Sequence, residues 1–421
     1  MLYQLSKRVA RFVVGQFFRR ITIGGEPALE SGPLLIVCNH QNSIVDPLLV
    51  IRCFERELWF IAKSTYFNGS FISALLRSIN MVPVKRRQDF PNGEVDNQKM
   101  FQFTTDALAK GKAILIFPEG LSLGVRKLQP IKTGAARISL QAEADNKFSL
   151  GLKVQAVGIT YTDVQRFRSS AHVVLGKPFS VRELYQDASE GDRDITAVLT
   201  ERIETELRGL TVDVAEVEQN RLVEQIAKLY ASADRAADDF NRLHQVAERV
   251  AQLSAARPGA RDTIARRLSA YEEAASLWNI DIDRPLKQQM NPIAVRLLTP
   301  AVVFGYISHY LPYKLIGPLG RAIIDHPASI ASMKILLGIV VYPIWYLCLF
   351  FLGLACGISS GLASLLVLAV ILAGLLANKY YDGVHLYLVN GKGSPLDALL
   401  SVRNELIYEL DRLNRESSQQ G

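Results

Sequence analysis

Between residues 39 and 47 the chain reads Asn-His-Gln-Asn-Ser-Ile-Val-Asp-Pro, a histidine with an acid six positions on and amides beside it. Imidazole titrates near neutrality, so a histidine oriented by a carboxylate can take the proton of a hydroxyl. The carboxylate fixes the ring tautomer and stabilises the imidazolium as it forms. In a regular helix, six positions put His40 and Asp46 on different faces, so pairing them needs a loop that folds back. The plainer reading is a strand end running into a helix N-terminus, with asparagine and aspartate as caps.

Two later stretches carry further chemistry. Lys85-Arg86-Arg87 closes an apolar run. A basic cluster there would bind a phosphate or carboxylate, arginine in bidentate fashion, and a solvated basic turn is the alternative. Pro118-Glu119-Gly120-Leu121-Ser122 sets a carboxylate beside a glycine, where backbone can approach a ligand and the acid can hold a polyol hydroxyl. A left-handed turn with an exposed glutamate accounts for it equally. Arg126, Lys127 and then Lys132 follow, cations that would add contacts to a phosphate.

The elements that must position these residues alternate. Apolar runs at 34–38, 58–62, 80–84, 113–117, 154–160 and 172–175 read as strands, separated by helix-length stretches such as 70–78, 95–110 and 134–144. Such alternation predicts an α/β domain with a mostly parallel sheet flanked by helices. Ligands gather outside the carboxyl ends of such strands, where residues 39–47 fall.

Taken together, Asn39-His40 with Asp46, Val82-Pro83-Val84-Lys85-Arg86, Phe117-Pro118-Glu119-Gly120 and Val157-Gly158-Ile159-Thr160 resemble, in order and spacing, the four blocks of the PlsC-like glycerolipid acyltransferases. Five residues between His40 and Asp46 rather than four, and Leu121-Ser122 where many lysophosphatidate acyltransferases have arginine, resemble the dual-specificity glycerol-3-phosphate/dihydroxyacetone-phosphate subgroup. So does Leu128-Gln129-Pro130-Ile131-Lys132-Thr133-Gly134. The resemblance implies His40 as general base, Asp46 as its orienter, Arg86 as a phosphate anchor, and Glu119 with Gly120 in acceptor binding; Lys85 would grip the same phosphate and Lys132 would add a cationic contact. Asn42 and Ser122 join the expected substrate-binding set, and Val157 and Gly158 the acyl side. The expected reaction moves an acyl chain from a coenzyme A or acyl carrier protein thioester to the sn-1 hydroxyl of glycerol 3-phosphate, or to dihydroxyacetone phosphate. Lysophosphatidate as acceptor, and a catalytically silent lipid-binding protein, are the alternatives. No cofactor and no metal is expected, thiolate being a good leaving group.

The rest of the chain points to a membrane. Its 421 residues carry a formal charge of +7, which suits phosphate-bearing ligands or an anionic lipid surface. No aromatic-basic interleaving or zinc spacing supports nucleic acid. The four cysteines form no metal or redox spacing. Leu2, Leu5, Val9, Phe12, Val13 and Phe17 recur at helical spacing with basic residues between them, which predicts an amphipathic helix within residues 1–30. It would lie on a membrane surface or pack on its own domain. Residues 31–182 then form the catalytic domain. Residues 183–332 read as a charged α-helical insertion, with His244 on its surface and an interfacial helix pair over 293–322. Residues 335–378 are 44 in succession without a charge, enough for a transmembrane helical hairpin. Lys334 and Lys379 flank it, which predicts that both ends, the catalytic domain and the helical tail 379–421 face the cytoplasm.

Overall fold

The chain divides into two compact units, Met1–Asp213 with Pro327–Ser329, and Val214–His326 with Ile330–Gly421. A computed structural model describes residues 2–86, 89, 96–189, 194–212, 217–233, 245–248, 250–251, 258–278, 280, 282, 286, 291–324, 326–389 and 395–418. Arg87 and His244 lie outside the described residues.

The first unit runs α1 (Leu2–Phe17), β1 (Arg20–Gly25), β2 (Leu34–Cys38), α2 (Val45–Cys53), β3 (Leu58–Lys63), α3 (Ser70–Ser78), β4 (Met81–Val84), α4 (Gln98–Ala109) and β5 (Ala113–Ile116). It continues with α5 (Gly134–Asp145), β6 (Lys153–Tyr161), β7 (Ser170–Leu175), β8 (Phe179–Ser180), α6 (Val181–Ser189) and α7 (Ile195–Leu210). The strands lie in the order β1-β7-β6-β2-β5-β3-β4, with β8 on β6. β2 through β6 run parallel to one another, whereas β7 and β8 pair antiparallel to β6. Five strand carboxyl ends therefore open on one edge of the sheet.

β2 sits between β6 and β5 and is buried throughout, as Leu-Leu-Ile-Val-Cys demands of a strand covered on both faces. On one face Leu35 and Val37 pack with Leu108 of α4, Ile138 of α5 and Ile203 and Leu207 of α7. The crossovers β2–α2–β3 and β3–α3–β4 step across the sheet in one direction, and those through α4 and α5 step back. Right-handed connection therefore puts α2 and α3 together on the other face. There α1 packs on α2.

The structure divides the expected N-terminal segment 1–30. Helix α1 ends at Phe17, and β1 joins the sheet as an edge strand parallel to β7. Tyr3, Ala10, Val14 and Phe17 of α1 are buried on the domain, while Leu2, Leu5, Val9 and Phe12 face outward.

The second unit comprises α8 (Val217–Ser232), α9 (Pro258–Leu277), α10 (Pro292–Ile323), α11 (Ile330–Ala355), α12 (Ser360–Val389) and α13 (Pro395–Ser418). Among the described residues, three helices are long and apolar enough to cross a membrane, spanning Ile293–Ile323, Pro327–Ala355 and Ser360–Leu388. Residues 293–322, expected as a pair, form one helix with Pro300, Pro312 and Pro318 inside it. The first turns of α10 meet the end of α12, where Arg296 donates to the Tyr387 hydroxyl at 2.9 Å. Its last turn meets the beginning of α11, where a Cβ on Gly320 would lie 3.5 Å from Met333. Both ends of α10 thus lie at the open end of the α11–α12 hairpin. Helix α13 packs back on α8 and α9: Tyr230 donates to Asp411 at 2.9 Å, Arg403 to the Ser232 carbonyl at 2.6 Å, and Arg267 pairs with Glu409.

Val157 is fully buried in β6, and a Cβ on the next residue, Gly158, would lie 2.0 Å from the Leu210 carbonyl oxygen. Both residues are interior, packed within the sheet and against the end of α7. Gly158→Ala must push two backbones apart, at a cost of about 1–3 kcal/mol. A lowered Tm of the purified protein in detergent measures it.

Candidate active site

Residues 39–44 leave β2 as an irregular loop and return its chain to the sheet edge before α2 begins. The Asn39 side chain prolongs the β2–β6 ladder, donating to the Ile159 carbonyl at 2.9 Å and accepting the Ile159 amide at 2.7 Å. Ser43 takes a left-handed φ of 38°, and the Val45 amide donates back to the Asn42 carbonyl at 2.8 Å. This turn delivers Asp46, in the first turn of α2, to the histidine six residues before it.

His40 Nδ1 and Asp46 Oδ2 stand 2.8 Å apart. The imidazole is 18% exposed and the carboxylate not at all, so the base is open to a ligand and its partner is sealed off. Two further donors complete the acid: the Asn42 backbone amide at 2.7 Å on Oδ2, and the Tyr161 hydroxyl on Oδ1. Burial, with Asp46 beside it, pushes the Tyr161 phenol well above its ordinary pKa, which keeps it the donor. The His40 ring stacks on Phe117 with centroids 4.1 Å apart. With Nδ1 facing the carboxylate, Nε2 is the nitrogen left for a substrate proton.

The loop after β5 clamps this arrangement. Glu119 is buried, and its two oxygens accept the backbone amides of His40 at 2.5 Å and Gln129 at 2.8 Å. The Ser43 amide donates to the Ser122 hydroxyl at 3.0 Å. Asn42 is fully buried with its side-chain amide donating to the Val164 carbonyl at 2.8 Å. Three residues expected to touch substrate, Asn42, Glu119 and Ser122, are thereby engaged in holding the His40–Asp46 loop. Arg126, also buried, donates to the Tyr161 and Thr162 carbonyls and pins the end of β6.

Cations gather beside Gly120. Arg86 donates through Nη1 to the Gly120 carbonyl at 3.1 Å, and Lys132 lies over the Gly120 Cα, where a Cβ would be 2.6 Å from Nζ. Gly120 has φ +68°, so glycine is needed there for backbone and space alike. Arg86 is bidentate on Asp89, at 2.8 and 3.1 Å, and Lys63 meets the same acid at 3.2 Å. The Arg86 bonds hold the Asp89 carboxyl below the ordinary carboxylate range. These bonds use three of the five guanidinium N–H groups. Lys85 is exposed at the end of β4, its backbone tied to the Asn97 side chain at 2.9 and 2.8 Å. Among the described residues no group of three His, Cys, Asp or Glu could hold a metal ion.

Sequence reasoning missed Tyr161, Lys63 and Asp89. Tyr161 shares the face of Val157 and Ile159 on β6, and a phenol among buried positions needs a partner. Asp89, three residues beyond Arg86, carried a visible charge signal.

Residues 20–160 match the family model described as Acyltransferase. An uncharacterised acyltransferase of Schizosaccharomyces pombe is 21% identical, over 55% of this chain and 47% of that protein. Glycerol-3-phosphate O-acyltransferase 1 of Saccharomyces cerevisiae is 31% identical, over 32% of this chain and 18% of that protein. The chain thus spans less than half the length of either relative. The crystal structure of the 1-acyl-sn-glycerophosphate acyltransferase PlsC from Thermotoga maritima is similar at 16% identity and a TM-score of 0.37, over 49% of this chain and 78% of that one.

Glu119→Gln turns an NH2 toward one of two backbone amides in a buried site, at a cost of about 1–3 kcal/mol. The expected outcome is a lower Tm and a lower kcat, with KM for the phosphorylated acceptor held. A rise in KM alone would return Glu119 to the acceptor.

Proposed function

From an acyltransferase-family domain at residues 20–160, we propose that the chain acylates the sn-1 hydroxyl of glycerol 3-phosphate, and of dihydroxyacetone phosphate where offered, from an acyl thioester. The observation that carries this reading is the His40–Asp46 pair at 2.8 Å, open to ligand on the imidazole side and beside the Arg86–Lys132 cations. His40 Nε2 takes the acceptor hydroxyl proton while the oxygen attacks the thioester carbonyl. Asp46 steadies the imidazolium. The tetrahedral oxyanion collapses, the carbon–sulfur bond breaks, and the thiolate leaves with the proton that His40 returns.

Electrostatics selects the acceptor. Arg86, held in one orientation by Asp89 and Gly120, and the Lys132 ammonium attract a phosphate whose glycerol end reaches His40. The donor is a thioester of coenzyme A or of acyl carrier protein. Membrane-length helices hold the enzyme where its product partitions, and Lys334 and Lys379 favour the cytoplasmic side for the hairpin's open end.

The test is acyl transfer by the full chain in detergent, with glycerol 3-phosphate, dihydroxyacetone phosphate and lysophosphatidate as acceptors. The expected product from labelled glycerol 3-phosphate is lysophosphatidate, with His40→Ala slower by about 10² to 10⁴. Phosphatidate as the sole product moves the assignment to the lysophosphatidate acceptor. Full activity in His40→Ala, or none with any acceptor in the unaltered protein, overturns the enzyme reading.

A further inference from the structure

Helix α3 has no buried residue. Phe71 is 79% exposed, and Ile72 and Leu75 stand out beside it at 49% and 44%. Only Ser73, Leu76 and Ile79 turn partly inward toward β4 and its approach. Nine residues make too short a helix to hold itself in water, and its own domain leaves Phe71, Ile72 and Leu75 uncovered. Tyr66, just before it, is exposed as well.

What covers this side is indicated by charge and by company. From Leu58 to Gln88 the sequence holds Lys63, Arg77, Lys85, Arg86 and Arg87; Asp89 engages Lys63 and Arg86, and Arg77 and Lys85 are exposed. Arg77 stands over the Phe67 ring at 5.7 Å, a cation at the apolar margin. The right-handed crossovers put α3 on the face of the sheet that carries α2, on which α1 packs. Helix α1 turns Leu2, Leu5, Val9 and Phe12 outward with Arg8 exposed beside them, whereas Lys7 is buried and Arg11 is paired with Glu55. Apolar side chains among basic ones fit one occupant, the surface of an anionic bilayer. The same chain carries three membrane-length helices, so a bilayer is always within its reach.

We propose that α3 is a membrane-inserting helix of the first unit, dipping Phe71, Ile72 and Leu75 into the acyl boundary with Arg77 at the headgroups. Helix α3 follows the carboxyl end of β3 and precedes β4, whose own carboxyl end leads to Arg86. Its first turn therefore stands near the edge of the sheet that holds His40, and insertion brings lipid to that edge without passing through the reaction itself.

The test uses the full chain in lipid nanodiscs of about three parts phosphatidylcholine to one of phosphatidylglycerol. A Cys348→Ser, Cys356→Ser background carries one environment-sensitive fluorophore, on Leu75→Cys, on Phe71→Cys, or on Lys110→Cys at the exposed end of α4. Without any substrate, the labels at 71 and 75 should be blue-shifted and lose about half their emission to lipids spin-labelled in the upper acyl chain, consistent with insertion by 5–10 Å. The label at 110 should lose little. Quenching at 71 and 75 no greater than at 110 overturns the proposal. A blue shift that follows the number of protein copies per disc assigns the face to a second copy. One that needs added long-chain acyl-CoA assigns it to the donor chain, and either result also overturns the proposal. Because no substrate is present in the main arm, the outcome is independent of whether the chain acylates glycerol 3-phosphate.

Discussion

An aspartate carboxylate with no solvent exposure sits behind the His40 ring at this sheet edge. Burying such a charge costs several kcal/mol unless its oxygens are met by donors in good geometry. Asp46 obtains them from three places in the chain: the His40 ring, the Asn42 amide and the Tyr161 hydroxyl at the end of β6. Its seat in the first turn of α2 adds the favourable end of a helix dipole. The loop 39–44 can adopt few shapes that satisfy all of this, and His40 is aimed as a consequence.

A second carboxylate secures the loop from the opposite side. Glu119 binds the His40 amide and the Gln129 amide together, so the end of β2 and the segment after β5 move as one piece. Because β6, β2 and β5 are neighbours in parallel register, their three carboxyl ends deliver Tyr161, His40 and Glu119 to one spot. Lys63 and Arg86 then come from the ends of β3 and β4, further along the same edge, and Lys132 from the segment after β5. The site is a property of strand order.

Much of this was legible in residue types. The run 34–38 is β2 to the residue, because five apolar residues bounded by Pro33 and Asn39 leave no other frame. His40 with Asp46 was legible because the pair is local. The part played by Glu119 was not, since a carboxylate that binds backbone amides looks in sequence like one that binds a polyol. Edge strand β1 was hidden because Arg20–Gly25 draws its support from β7, about 150 residues later, rather than from its own pattern. In the second unit, hydropathy identified 335–378 from its missing charges. Hydropathy does not reveal that α10 returns to the end of the hairpin it started from, because that rests on contacts with Tyr387 and Met333, distant in sequence.

Cys38 adds a last consequence. Its thiol lies two residues from His40, fully buried, donating weakly to the Asn39 carbonyl. Burial first, then the nearby Asp46 and Glu119 charges, push its pKa well above that of a free cysteine. In the proposed reaction, a thiolate so near the donor thioester would capture the acyl group by sulfur-to-sulfur exchange and stop after one turnover. Burial, aided by the two carboxylates that shape the loop, keeps this sulfur protonated, so the arrangement that would prepare an oxygen nucleophile also silences the competing sulfur.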